Sequence, residues 1–141
     1  MSLIHGSQGI IYFVHLFGGP KLVEAALLED NDMLQAVTRI NQKLHTLAPI
    51  LNSPSVSDAV SIETEKPGQI ATMVKRRDDT VYLFAVAMRP QAVVAKFRLN
   101  IGLAGRVSVI GENRSIDLSD TTFIDHFDPY AVHLYKFSIG R

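Results

Sequence analysis

The sequence predicts a mainly β fold, an antiparallel β-sandwich preceded by an N-terminal strand and helix. Two observations predict it. From Val56 onward, short runs of alternating apolar and polar residues are separated by turn residues, the pattern of two antiparallel sheets face to face. Before residue 55 the pattern differs: one unbroken apolar run is followed by a helical periodicity. The 141 residues suffice for one domain, or one small domain with an appendage. Residues 1–55 therefore read as a terminal βα unit and residues 56–141 as the sandwich.

The first element is "GIIYFVHLF", residues 9–17. Ile10, Ile11, Tyr12, Phe13, Val14, Leu16 and Phe17 are apolar on both parities, as in a strand covered on both faces. Gly18, Gly19 and Pro20 end it. Helix follows, a short piece within 20–29 and a longer one from about 32 to 48. Asp32 and Gln35 have capping-box spacing, and Met33, Val37, Ile40, Leu44 and Leu47 recur three and four apart on one face. Pro49 disfavours helical geometry at Ala48 and is expected to end the helix. One βα unit cannot make a parallel sheet, so its strand needs partners from elsewhere.

The sandwich strands are expected at 58–64, 69–75, 80–88, 92–99, 105–110, 114–118, 121–126 and 130–138. The turns between them fall at Lys66-Pro67-Gly68, Arg77-Asp78-Asp79, Arg89-Pro90, Asn100 to Gly102, and Gly111-Glu112-Asn113. Val93, Ala95, Phe97 and Leu99 alternate with Val94, Lys96 and Arg98, and Val107 and Val109 alternate with Arg106 and Ser108. No internal repeat or low-complexity segment interrupts the series.

Lys plus Arg and Asp plus Glu balance at 14 each, which argues against nucleic acid, where a basic face must replace counterions. The chain has no cysteine, so disulfides and thiolate metal sites are excluded and the compartment stays open. Residues 9–17 are too few to span a bilayer, and no Lys or Arg in 1–8 supplies the positive flank of a signal peptide.

Chemistry is densest in "FIDHFDPYAVHLYKF", residues 123–137. On a strand over 130–138, Val132 and Leu134 face one way and His133, Tyr135 and Phe137 the other. Asp128 before Pro129 marks a turn, and Asp125 can do similar work one strand earlier, so Asp125, Asp128 and Pro129 read as a structural corner. The sharper reading is a metal site from Asp125, His126 and Asp128, but neighbours on a strand point apart and a further ligand is wanting. The other acids lie mostly at helix starts or turns. Glu63 and Glu65 share parity near Pro67, where exposure is expected. No serine sits in a Gly-x-Ser-x-Gly elbow. "GLAGR" (102–106) lies between strands, with no helix N-terminus to hold phosphate, and "KRRDD" (75–79) is a solvated hairpin tip.

"GSQGIIYF" followed by a helix and "INQKLHTLAPILNSP" (40–54) resembles the end of a glycoside-hydrolase (β/α)8 barrel, its last strand and helix. "YLFAVAM" (82–88), "RVSVIGENRSIDL" (106–118) and the closing "FIDHFDPYAVHLYKF" resemble the β-sandwich, Ig-like in type, that trails such barrels. The resemblance implies that the acid/base and nucleophile carboxylates belong to earlier barrel strands. No catalytic residue is carried over, and no metal or cofactor is called for. Asp125, Pro129, Tyr130, His133 and Tyr135 then look architectural.

The leading expectation is a non-catalytic accessory module that packs against a barrel or self-associates. Ile10, Ile11, Tyr12, Phe13 and Val14 would be the self-association segment, pairing by an edge or by swapping into a dimer. The alternative is a free-standing carbohydrate-binding module with Tyr130, His133 and Tyr135 as an exposed platform. A small metal-dependent enzyme centred on Asp125, His126 and Asp128 is the third reading.

Overall fold

The computed structural model describes residues 1–19, 21–101 and 106–138. Pro20, the two glycines of "GLAGR" and the first residue of the strand expected over 105–110 lie outside the described residues. The chain divides into two compact units, Gly9–Leu51 and Met1–Gln8 together with Asn52–Arg141.

In the smaller unit, α1 is Ala26–Glu29 and α2 is Asn31–Leu51. The Asp30 carboxylate accepts the Met33 amide at 2.9 Å, so Asp30 rather than Asp32 caps α2. Nor does Pro49 end the helix. It sits in the final turn, where its missing N–H removes one hydrogen bond and two further residues still complete the turn. The strand expected over 9–17 is not formed: Leu16 bridges Val23, and the rest of the run joins no ladder among the described residues. A strand exists only against a neighbour that takes its backbone groups, and this unit returns only a single bridge.

The larger unit is the predicted sandwich. Its strands are β1 Val60–Glu63, β2 Ile70–Arg77, β3 Thr80–Ala87, β4 Val93–Leu99, β5 Arg106–Val109, β6 Arg114–Asp117, β7 Thr122–Phe127 and β8 Val132–Ser138. They form a three-stranded sheet, β1-β4-β7, and a five-stranded sheet, β2-β3-β8-β5-β6, with every pairing antiparallel. Residues 54–56 lie along the outer edge of β2: the Val56 amide donates to Val74 and the Arg76 amide to Pro54, each at 3.0 Å. The Lys75 ammonium fastens them, donating to Ser55 Oγ at 2.9 Å and the Ser53 carbonyl at 3.2 Å.

The core follows the period of two. Val93, Ala95, Phe97 and Leu99 of β4 point inward, as do Phe123 and Phe127 of β7 and Val107 and Val109 of β5. From the same sheet as β5, β8 supplies Tyr135 and Phe137, facing β4 and β7. Phe97 stacks on Phe123 with centroids 4.8 Å apart, and Tyr135 meets Phe123 edge-on at 5.0 Å. β3 is apolar on both parities, with Phe84 and Val86 buried as well as Leu83 and Ala85.

Two turns hold strained backbone at the ends of β7. Asp120 and Thr121 both have positive φ in the two-residue link closed by reciprocal Ser119–Thr122 bonds. Tyr130 has φ 58° in the turn where the Ala131 amide donates to the Asp128 carbonyl. That is the position at which a turn of this kind favours glycine. Asp128 and Pro129 thus open a turn, whereas Asp125, grouped with them in the sequence reading, lies inside β7.

Phe97 touches three other aromatic rings across both sheets. Phe97→Ala is expected to lower unfolding free energy by about 3–5 kcal/mol, read as a shift in the urea midpoint at unchanged slope.

Candidate functional site

The side chains with the strongest chemistry converge where the two sheets meet beside the tip of the β5–β6 hairpin. β7 alternates Phe123, Asp125 and Phe127 inward with Ile124 and His126 outward. The period that buries two phenylalanines thus buries the carboxylate between them, which is 6% exposed. β8 brings Tyr135 and His133 to the same face from the opposite sheet, and β6 begins with Arg114. Gly111 and Asn113, both at positive φ, shape the turn that carries Glu112 back toward them.

Asp125 is the hub. Its two oxygens accept Arg114 Nη1 at 3.0 Å and Nη2 at 2.8 Å, a bidentate fork. Oδ2 also accepts the Tyr135 hydroxyl at 2.7 Å, and Oδ1 the His126 amide at 2.9 Å. Arg114 reaches the other way as well, donating Nε to Glu112 Oε2 at 2.7 Å. The second Glu112 oxygen accepts His133 Nδ1 in a short contact. Since an ionised carboxylate only accepts, Nδ1 must carry the proton. Arg114 Nη2, 3.4 Å from that nitrogen, therefore touches it without donating to it. The imidazole lies edge-on to Phe127 with centroids 4.5 Å apart, and its Nε2 is buried with no partner among the described residues.

These contacts set the protonation states. Burial pulls the Asp125 carboxyl upward, but the bonds from Arg114, Tyr135 and the His126 amide outweigh it and hold the group below the usual carboxylate range. Glu112 is likewise held low, with burial outweighed by His133 and Arg114. The bond to Asp125 raises the Arg114 guanidinium further, and burial beside Asp125 drives the Tyr135 phenol upward, so it stays a donor. Both acids, the guanidinium and the phenol are committed to one another, and His133 Nε2 is the cluster atom left without a partner among the described residues. Both carboxylates are ionised and occupied, and neither is held protonated as a general acid would be.

The sequence-predicted residues are partly brought together and partly dispersed. His133 and Tyr135 do share a face, but it is the inner one. Tyr135 is 0% exposed, so it offers no ring face to a ligand. The expected exposed platform of Tyr130, His133 and Tyr135 is thereby corrected, and only Tyr130, 52% exposed in its turn, remains outside. Asp125 and His126 project to opposite faces of β7, so they cannot ligate one ion, and no group of three or more metal-type side chains gathers among the described residues. Glu63 does not pair with Glu65; it bonds Lys96 across the β1–β4 ladder at 3.1 Å. Sequence reasoning missed Arg114 and Glu112. Their signal was faint: an arginine and a glutamate flanking a hairpin tip, where solvation is the ordinary reading. In the smaller unit the expected self-association segment is uncovered, with Ile11 98% and Phe13 74% exposed.

No family model and no curated protein sequence matches the chain. Solved structures do. The chain is similar to an Anoxybacillus alpha-amylase at 11% identity and TM-score 0.53, over 79% of this chain and 24% of that one. It is similar to a variant of AmyP in complex with maltotriose at 9% identity and TM-score 0.55, over 86% of this chain and 24% of that one. A GH30 endoxylanase from Clostridium papyrosolvens superposes more loosely, at 16% identity and TM-score 0.43, over 55% of this chain and 23% of that one. The chain thus spans about a quarter of the length of each. The two closer likenesses show a shared fold with parts of glycoside hydrolases.

Removing the Tyr135 hydroxyl with Tyr135→Phe is expected to lower stability by about 1.5–3 kcal/mol, because the acceptor is charged. Asp125→Asn should cost about 3 kcal/mol at pH 7, near the low end for a broken buried pair because Arg114 is 35% exposed on its side chain. The pH dependence has a definite sign. A native carboxyl held low stabilises the fold above the unfolded value of about 3.9 and loses that contribution as pH falls through the native value. The gap between wild type and Asp125→Asn in urea midpoint should therefore be widest near neutrality and close progressively below about pH 4.

Proposed function

We propose that the chain is a non-catalytic accessory β-sandwich module of a glycoside-hydrolase-like protein, making contact through the Gly9–Leu51 unit with a barrel or with another copy. The observation that carries the reading is the commitment of both inward-reaching acids, Asp125 and Glu112, to ion pairs with Arg114 and a contact with His133. Glycoside cleavage needs two carboxylates flanking a sugar, one of them kept protonated. Here both are held low, and Asp125 braces the two sheets through Arg114 and Tyr135. The likeness in fold to parts of an alpha-amylase and of AmyP supports an association with glycosidases. The uncovered apolar side chains of residues 10–17 support a contact role for the smaller unit.

The carbohydrate-binding reading rests on Tyr130 alone once Tyr135 is placed in the core. One feature favours it: an aromatic ring half exposed on a turn whose backbone strain glycine would relieve.

Purified chain incubated with starch, xylan and a panel of aryl glycosides is expected to release no sugar. Turnover that Glu112→Gln abolishes would sink the accessory reading. In affinity electrophoresis on soluble glucans and xylan, wild type and Tyr130→Ala are expected to migrate alike; retardation that Tyr130→Ala relieves would favour the carbohydrate module.

A further inference from the structure

Every residue of 10–17 is exposed except the half-buried Val14, and Ile11 and Phe13 are the most exposed of its large apolar side chains. Tyr12 is drawn onto the unit's own helix, its hydroxyl donating to Asn41 Oδ1 at 2.9 Å. Ile11, Phe13, His15 and Phe17 face outward. Their three rings cluster, with centroids 5.5 Å apart for Phe13 and His15, 6.1 Å for His15 and Phe17, and 5.7 Å for Phe13 and Phe17. The run carries no Asp, Glu, Lys, Arg or Pro, and apart from the Leu16–Val23 bridge its backbone joins no ladder among the described residues. An uncharged, β-prone segment with unpaired backbone is a template for pairing.

The two edges of the five-stranded sheet are treated differently. Residues 54–56 cover β2, with the Lys75 ammonium over them, and β6 carries the Arg106–Asp117 ion pair at 2.6 Å. Charge and cover of this kind discourage an added strand. The segment's best partner is then another edge that lacks such guards, and its own counterpart in a second copy is one. Because it is free of charge, it meets itself without repulsion. Covering the outward row removes roughly 500 Å² from each copy, aromatic rings supplying most of it. Two such faces together remove about 1,000 Å², the size of a weak, reversible association rather than a permanent one.

We propose that residues 10–17 form a homodimer interface, pairing as strands with residues 10–17 of a second copy and packing the Ile11–Phe13–Phe17 row against its counterpart. This names the partner in the accessory reading and rests on it, since the smaller unit then serves contact.

The test is the solution mass of the full chain at about 1 μM and about 100 μM, a range that brackets a micromolar dissociation constant. A rise to twice the 15.6 kDa of one chain is expected. The Ile11→Lys, Phe13→Lys double variant should stay at one chain mass throughout, with the sandwich's NMR methyl dispersion unchanged. A monomer at both concentrations, or a dimer that the double variant leaves intact, overturns the proposal. The natural absence of cysteine allows a second readout that does not depend on the lysine variants folding. Phe13→Cys should form disulfide-linked dimers under mild oxidation, while Ser61→Cys, exposed on β1, should not; equal cross-linking at both sites counts against the interface. A dimer that hydrolyses glycosides leaves the interface standing and removes the accessory reading, whereas an inactive monomer removes only the interface.

Discussion

One carboxylate ties the two sheets together. Asp125 enters from the three-stranded sheet and is met by Arg114 and Tyr135 of the five-stranded sheet, so the link crosses the interior of the sandwich. Apolar packing alone holds sheets face to face but tolerates sliding, because one aliphatic side chain substitutes for another at little expense. A buried anion does not tolerate it. Shifting β7 by one residue would send Asp125 outward, bring His126 in, and leave the Tyr135 hydroxyl without an acceptor inside the core. The fork from Arg114 adds direction to the bond, and Glu112 and His133 orient the arginine in turn.

On the accessory reading proposed above, this arrangement gives the most chemically suggestive stretch of the chain a structural role. Aspartate, histidine, tyrosine and arginine are the residue types of active sites, and here they lie within hydrogen-bonding distance of one another. The acids and the phenol are saturated, while the buried His133 Nε2 has no partner among the described residues. Each acid has its cation, the phenol has its carboxylate, and the favourable contacts of the ionised forms outweigh the burial that would have raised the acids. A site poised for proton transfer keeps at least one group away from its resting state; this one deepens the resting state of all four groups whose titration it moves.

The sandwich was legible in the sequence wherever one face is wet. β4 and β5 alternate cleanly, and their inward residues are those the period of two picks out. Tyr135 shows the limit of that reasoning. Parity correctly joined it to His133 and Phe137, but parity alone does not say which face is the inner one. Phe123 and Phe127 two residues either side of Asp125 were the available sign that the aspartate points inward. Arg114 was out of reach because nothing local distinguishes a hairpin arginine that bends over the sheet from one that stays in water. The 9–17 segment misled for the opposite reason. Its composition is that of an interior strand, but strand geometry comes from a neighbour, and the described residues of the chain supply only a single bridge. At Pro49 the restriction on the residue before a proline points to a helix end at Ala48, but the helix runs on through its final turn to Leu51.

Strand order in the larger sheet has a bearing on biosynthesis. β8 leaves the ribosome after all the other strands, yet it occupies the middle of the five, between β3 and β5. Until it arrives, the β2–β3 and β5–β6 hairpins are separate ribbons with exposed inner edges, and Asp125 has no phenol to receive. The five-stranded sheet therefore cannot close until its last strand is made, and the unpaired edges of the two hairpins are open to wrong partners until then.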